Sequence, residues 1–170
     1  MKGDSAQVTI DYIAGIGIFL LSVFFVFQFM SGLFIPFQSG SDKVTLSADR
    51  AGTVIVERLL RDNNSGELNV IDQGKLYYFN NSKLNYNDQA NYTNTLREIG
   101  LFSNETYFDL NMSVTYPNGT IMNQSGNNFP LICGPQLPET SDIGQTKRIV
   151  LIVNSSTGYN QTAIISVRAW

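Results

Sequence analysis

The side chains best spaced for chemistry in this sequence are asparagine amides. N-x-[ST] acceptor sequons begin at Asn63, Asn80, Asn91, Asn104, Asn111, Asn118, Asn123, Asn154 and Asn160. With 17 Asn and 27 Ser plus Thr in 170 residues, chance alone gives about three. All nine lie after residue 61. An acceptor amide takes a glycan only where the chain faces outside the cell, so the C-terminal part is expected to be extracellular and N-glycosylated at several sites.

Other chemistry is thinly provided. The chain has no histidine and one cysteine, which excludes His/Cys zinc sites and every His-dependent nucleophile or acid–base pair. Cys133 cannot close a disulfide within the chain and reads as a buried small hydrophobe rather than an intermolecular bridge. Asp49 and Glu57 stand eight apart beside Arg50, Arg58 and Arg61, and read as surface ion pairs rather than a glycosidase dyad. A net charge of -3 leaves no footprint for nucleic acid. The expectation is therefore no enzyme: no catalytic residue, no metal, and no cofactor beyond N-linked glycans.

The elements that carry these residues follow from where the charges are missing. Thirty residues between Asp11 and Asp42 carry no charge, and seven of the eleven Phe lie between Tyr12 and Phe37. A helix of about 24 residues covers about 36 Å, enough for a bilayer core of about 30 Å. The run is too long for a secretory signal, and Ile35-Pro36-Phe37 follows it without a small-residue cleavage site, so a retained anchor is expected. Lys2 is balanced by Asp4, and Asp42-Lys43 closes the other flank, so charge says little about orientation.

From Asp42 to Arg61 the pattern is an amphipathic helix, with Val44, Ala48, Ala51, Ile55 and Leu59 on one face. Pro36 is expected to kink or break its junction with the anchor. The rest reads as mainly β. Expected strands are Glu67–Ile71, Lys75–Phe79, Lys83–Tyr86, Thr106–Tyr116, Thr120–Asn123, Arg148–Val153 and Gln161–Trp170. Asp72-Gln73-Gly74 and Pro117-Asn118-Gly119 are expected as hairpin turns, Thr93–Ile99 as a short helix, and Asn127–Gly144 as a long loop. Alternation puts Phe108, Leu110, Met112, Val114 and Tyr116 on one face and Asn111 on the wet face. The unbroken run Ile149–Val153 suits a central strand covered on both faces. Trp170 is expected as a core or subunit contact. The fold class is α+β, a long N-terminal hydrophobic helix followed by a mainly antiparallel β head.

Gln7-Val8-Thr9-Ile10-Asp11, directly before the apolar run, resembles the Q-x-S-x-E start of archaeal type IV pilins with class III signal peptides. Thr9 stands for Ser and Asp11 for Glu. The wider chain is similar to an uncharacterised pilin-like family of haloarchaea and methanogens. The matching pieces are Ala6–Tyr12, Pro36-Phe37, Ala48-Asp49-Arg50, Arg148-Ile149-Val150 and Val167-Arg168-Ala169-Trp170. The resemblance implies a leader of residues 1–6, cut by a prepilin peptidase between Ala6 and Gln7, with a rival site after Lys2-Gly3. It implies an anchor and stalk over 7–61, and a head over 62–170. It further implies a homo-oligomeric surface filament, built by pilus assembly machinery from subunits held in the membrane beforehand. Gln7, Asp11, Ala14, Gly15 and Gly17 would be the assembly residues. Small residues suit close helix contact. A carboxylate near the apolar run costs about 2.5–3.5 kcal/mol at a helix centre and calls for a partner. The new amine at Gln7 of a neighbour is one such partner; the helix N-terminus at the membrane edge is another. A membrane-anchored extracellular binding or envelope protein that never polymerises is the alternative.

Overall fold

A computed structural model describes residues 4–104, 106–124, 128–154 and 156–170, and for residues 4–9 and 32–42 the backbone alone. The chain forms two compact units, residues 1–40 and 41–170. Helix α1 is assigned over Asp4–Val54. Within the first unit it is long and apolar enough to cross a membrane from Ile10 to Ser31. The expected kink or break at Pro36 falls where side chains lie outside the described residues. The architecture is α+β: an apolar N-terminal helix followed by a domain built on one five-stranded mixed sheet.

In the second unit, the last turns of α1 lie on one face of the sheet. Ala48, Ala51 and Ile55 are fully buried, with Val44 packed beside them, as the apolar spacing predicts. Small residues let the two layers approach closely. A Cβ on Gly52 would stand 2.7 Å from Thr146 Cγ2, and one on Gly144 would overlap the Val44 carbonyl. Beyond Val54 the helix relaxes into a π-helical turn, Ile55–Leu59, where the Leu60 N–H reaches back to the Ile55 carbonyl at 2.9 Å. The wider turn rephases the face. Val56 and Leu60 are buried, while Leu59, expected inside, is only partly covered. The helix therefore ends before Arg61, which instead bridges to Ile71.

The sheet comprises β1 (Val70–Asp72), β2 (Leu110–Thr115), β3 (Ile132–Cys133), β4 (Gly144–Asn154) and β5 (Tyr159–Ala169), in the order β1-β4-β5-β2-β3. β1 runs parallel to β4, and the other pairs are antiparallel. The β4–β5 hairpin pairs from Asn154↔Tyr159 to Gly144↔Ala169. Val150, Ile152, Ala163, Ile165, Val167, Leu110, Met112 and Val114 form the core beneath α1.

Several expectations fail here. Lys75–Phe79 is not a strand. It belongs to α2 (Gln73–Tyr78), which leads into a second π-helical turn, Phe79–Lys83. Asp72-Gln73-Gly74 is a helix start rather than a hairpin turn, because Asp72 Oδ1 accepts the Lys75 N–H at 2.7 Å. Lys83–Tyr86 forms no strand either. Thr120–Asn123 makes only isolated bridges, Thr115↔Ile121 and Asn123↔Pro130. The short helix is real but starts earlier, as α3 (Gln89–Glu98), capped by Asp88. The turn at Pro117-Asn118-Gly119 is present, with the Gly119 N–H donating to the Tyr116 carbonyl. Of the expected loop Asn127–Gly144, residues 128–143 are mostly loop but contribute β3, Gly144 opens β4, and Asn127 lies outside the described residues. The apolar run in β4 is covered on one face only: Val150 and Ile152 are buried, while Ile149 is 69% exposed.

Candidate functional site

The sequence places its candidate functions on two surfaces, the anchor helix and the asparagines of the head. Along the helix, every side chain from Ile10 to Ser31 is exposed within the chain except Val23, which is half-buried. Phe19, Phe24, Phe25, Phe27 and Phe29 all point away from any intramolecular contact that would bury them. Ser22 answers its own hydroxyl by donating to the Ile18 carbonyl at 2.9 Å, so it adds little polarity. Asp11 is exposed, and helical spacing sets Ala14 and Gly15 on its side and Gly17 beside Ala14. A Cβ on Gly15 or Gly17 would meet nothing within 4 Å, so both glycines leave open shallow ground on the helix surface. Ala6 and Gln7 are in α1, with side chains outside the described residues; Lys2 and Gly3 lie outside them altogether.

The nine acceptor asparagines divide by environment. Asn63, Asn91, Asn104, Asn118, Asn123 and Asn160 are exposed. Asn154 is half-buried, and its amide nitrogen donates to Gln73 Oε1 at 2.8 Å. Asn80 and Asn111 are buried. For Asn111 this corrects the expectation of a wet face. Its residue is 7% exposed, its Nδ2 donates to the Pro135 carbonyl at 3.0 Å, and its Oδ1 accepts from Arg168. The alternation in β2 is correct, but the segment after β3 folds over that face and Arg168 of β5 lies across it.

The remaining reactive groups are structural. Burial pushes the Cys133 thiol up to about 12, and its Sγ donates weakly to the Met112 carbonyl. A neutral, buried thiol is a poor nucleophile. Asp49 does not pair with its helix neighbours. It pairs with Arg148 of β4 at 2.8 Å, while Glu57 accepts the Asn69 N–H. The Asp49 pair therefore ties helix to sheet, which helical spacing could not reveal. Asp109 accepts hydroxyls from both Tyr92 and Tyr107, and Tyr92 Oη accepts the Leu110 N–H at 3.0 Å. Burial and the Asp109 charge raise both phenols far above the ordinary tyrosine range, so they remain donors. Half-buried Trp170 is held by its backbone against Asp109. Among the described residues, no group of three or more Cys, Asp or Glu side chains is placed to hold a metal ion.

One further pocket went unread in the sequence. It lies between residues 80–87 and 132–136, which are joined where the Gly134 N–H donates to the Leu84 carbonyl. Nothing in either segment's periodicity signals that they meet.

A model of a family of unknown function (DUF7287) matches residues 3–170, so the chain belongs to that family. No curated protein matches the chain, and no solved structure does.

Proposed function

We propose that this member of the family is a structural subunit of an archaeal type IV pilus-like surface filament, polymerising through its N-terminal helix and displaying an N-glycosylated head. One observation carries the reading: the apolar helix from Ile10 to Ser31 is unburied by its own chain on every side. Apolar surface of that extent needs a cover. Lipid supplies it before assembly, and the same helices of neighbouring copies supply it afterwards. Ala14, Gly15 and Gly17 provide the close approach, and Asp11 pairs with the amine created at Gln7 of a neighbour. The six exposed acceptors, at Asn63, Asn91, Asn104, Asn118, Asn123 and Asn160, are those a glycosyl transferase reaches on the folded head.

The test is the mature protein itself. Sheared surface fibres should contain this chain, with an N-terminus at Gln7 by mass spectrometry. An intact Met1 on the mature protein counts heavily against the proposal. Asp11→Ala should leave membrane insertion intact and abolish fibres, and normal fibre yield would remove Asp11 from the mechanism.

A further inference from the structure

The face of the sheet turned away from Val150 and Ile152 carries apolar side chains that the head leaves uncovered. In β4, Ile149 is 69% exposed and Leu151 38%, and Val153 in the same row is half-buried. Residues opposite each other on paired strands share a face, so the register fixes what borders this row. Ile149 stands across from half-buried Ile164, Leu151 from Thr162, and Val153 from Asn160. Asn160 and Thr162 are the first and last residues of the acceptor sequon Asn160-Gln161-Thr162, and both are exposed. The Leu151 N–H donates to the Asn69 carbonyl on the β1 side, so Leu151 and Val153 turn their backbone groups away from β5. Val153 and Asn160 are therefore a non-hydrogen-bonded pair, the kind in which facing side chains stand closest. Among the other exposed acceptors, Asn63 accepts from Lys75, Asn91 donates to Asp88 and Asn118 accepts from Thr120. The Asn160 carboxamide makes no hydrogen bond among the described residues.

Beside Asn160 the row deepens into a cleft of about 450 Å³. Its apolar lining is Val70, Leu151 and Val153; its polar lining includes Asn64, Glu67 and Asn160. A sugar ring has both characters. Its C–H face gains by leaving water against apolar surface, and its hydroxyls donate and accept at the polar wall. Attachment to Asn160 makes the contact intramolecular, so packing too weak to hold a free sugar is enough. From Val153 to Ile149 the row runs about 14 Å, within reach of a short oligosaccharide. We infer that the glycan on Asn160 folds back along β4, its first sugar in the cleft against Val153 and Leu151 and its later sugars toward Ile149, and so covers this face of the sheet. The inference rests on the reading of the head as N-glycosylated and is independent of filament formation.

The test uses the full-length glycoprotein from its native host, held in phosphatidylcholine nanodiscs. Glycopeptide mass spectrometry should find Asn160 occupied. Thr162→Ala ends the sequon but keeps Asn160, and Asn118→Gln removes the acceptor at the 117–119 turn. Each change is read relative to the same substitution in chain made without glycosylation, so that direct effects of the side chain cancel. Thr162→Ala should lower the thermal midpoint by about 4 °C, and Asn118→Gln by less than about 1 °C. Hydroxyl-radical labelling of Ile149 and Leu151 should rise severalfold with Thr162→Ala. In a Leu151→Ser background the stabilisation by the Asn160 glycan should be lost. The inference is overturned if Asn160 is unmodified while other acceptors carry glycans, if loss of its glycan changes neither midpoint nor labelling, or if the stabilisation survives Leu151→Ser. A native chain without a glycan at any acceptor overturns the reading of a glycosylated head, and this inference with it.

Discussion

Residues 10–31 and residues 44–60 are both helical and both rich in apolar side chains, but they satisfy them in opposite ways. The first stretch buries none of its window within the chain. The second presents Ala48, Ala51, Ile55, Val56 and Leu60 to the sheet and leaves Asp49, Arg50 and Thr53 outside. The side-chain sizes differ in step. Five Phe and four Ile crowd the first stretch. The second has no Phe, and its Ala48, Ala51 and Gly52 stand where the β-sheet lies close against the helix. The lesson is that apolar character alone does not fold this protein: the part that folds does so through shape, and the part that is merely apolar stays available to something else.

The largest expected effect breaks the fit of helix to sheet. Gly144 starts β4 where α1 passes over it, and any Cβ there would overlap the Val44 carbonyl, a backbone atom that cannot rotate away. Gly144→Val should therefore destabilise the head by about 3 kcal/mol or more. Urea unfolding followed by the fluorescence of Trp170, the only tryptophan, measures it. Next comes Ile55→Ala, which opens a cavity at the first residue of the π-helical turn. Ile55 is fully buried, so about 3 kcal/mol should be lost in the same assay, with the anchor's membrane insertion unchanged. A loss below about 1 kcal/mol would mean that the helix is not held by the sheet as described.

A smaller effect separates polar from apolar contributions in the head. Tyr92→Phe keeps the ring but removes the hydroxyl that donates to Asp109 and accepts the Leu110 N–H. Asp109 immediately precedes β2 and Leu110 opens it, and the Leu110 N–H is buried. The expected cost is about 2 kcal/mol, because a buried donor is left without a partner.

How much was legible in the sequence follows the same division. The apolar helix was plain because a charge-free run this long, apolar on every side, favours a helix long enough to cross a membrane. β5 was plain because a period of two runs from Ala163 to Ala169, and the second half of β4 because Ile149–Val153 is unbroken; Gly144–Lys147, which also belong to β4, carry neither signal. α2 was misread because Lys75–Phe79 is too short for either period to dominate, although Asp72 three residues before Lys75 offered a capping signal. Ile149 was misplaced because an unbroken apolar run shows hydrophobicity and not the number of layers; among the described residues the apolar core covers the Val150 and Ile152 face and leaves Ile149 and Leu151 exposed. Asn111 was misplaced because alternation cannot foresee a loop folding over the polar face. The Asn80 pocket joins segments some fifty residues apart through a backbone contact, and no local pattern carries that.

The smallest expected effect bears hardest on the comparison. Phe25 is a larger side chain than Ile55, and by area alone its loss should cost more wherever it is covered. Within its own chain it is 67% exposed. Phe25→Ala should thus leave the unfolding free energy of the head unchanged to within about 0.5 kcal/mol, measured by urea beside Ile55→Ala on the full chain in phosphatidylcholine nanodiscs. A drop comparable to that of Ile55→Ala would show that the anchor's aromatic residues contribute to the folding of the head, and the division between an apolar stretch for outside partners and a shaped stretch for the sheet would fail. If the midpoint holds while fibre yield falls, the cover that Phe25 needs comes from other copies of the chain; if both hold, lipid alone is sufficient.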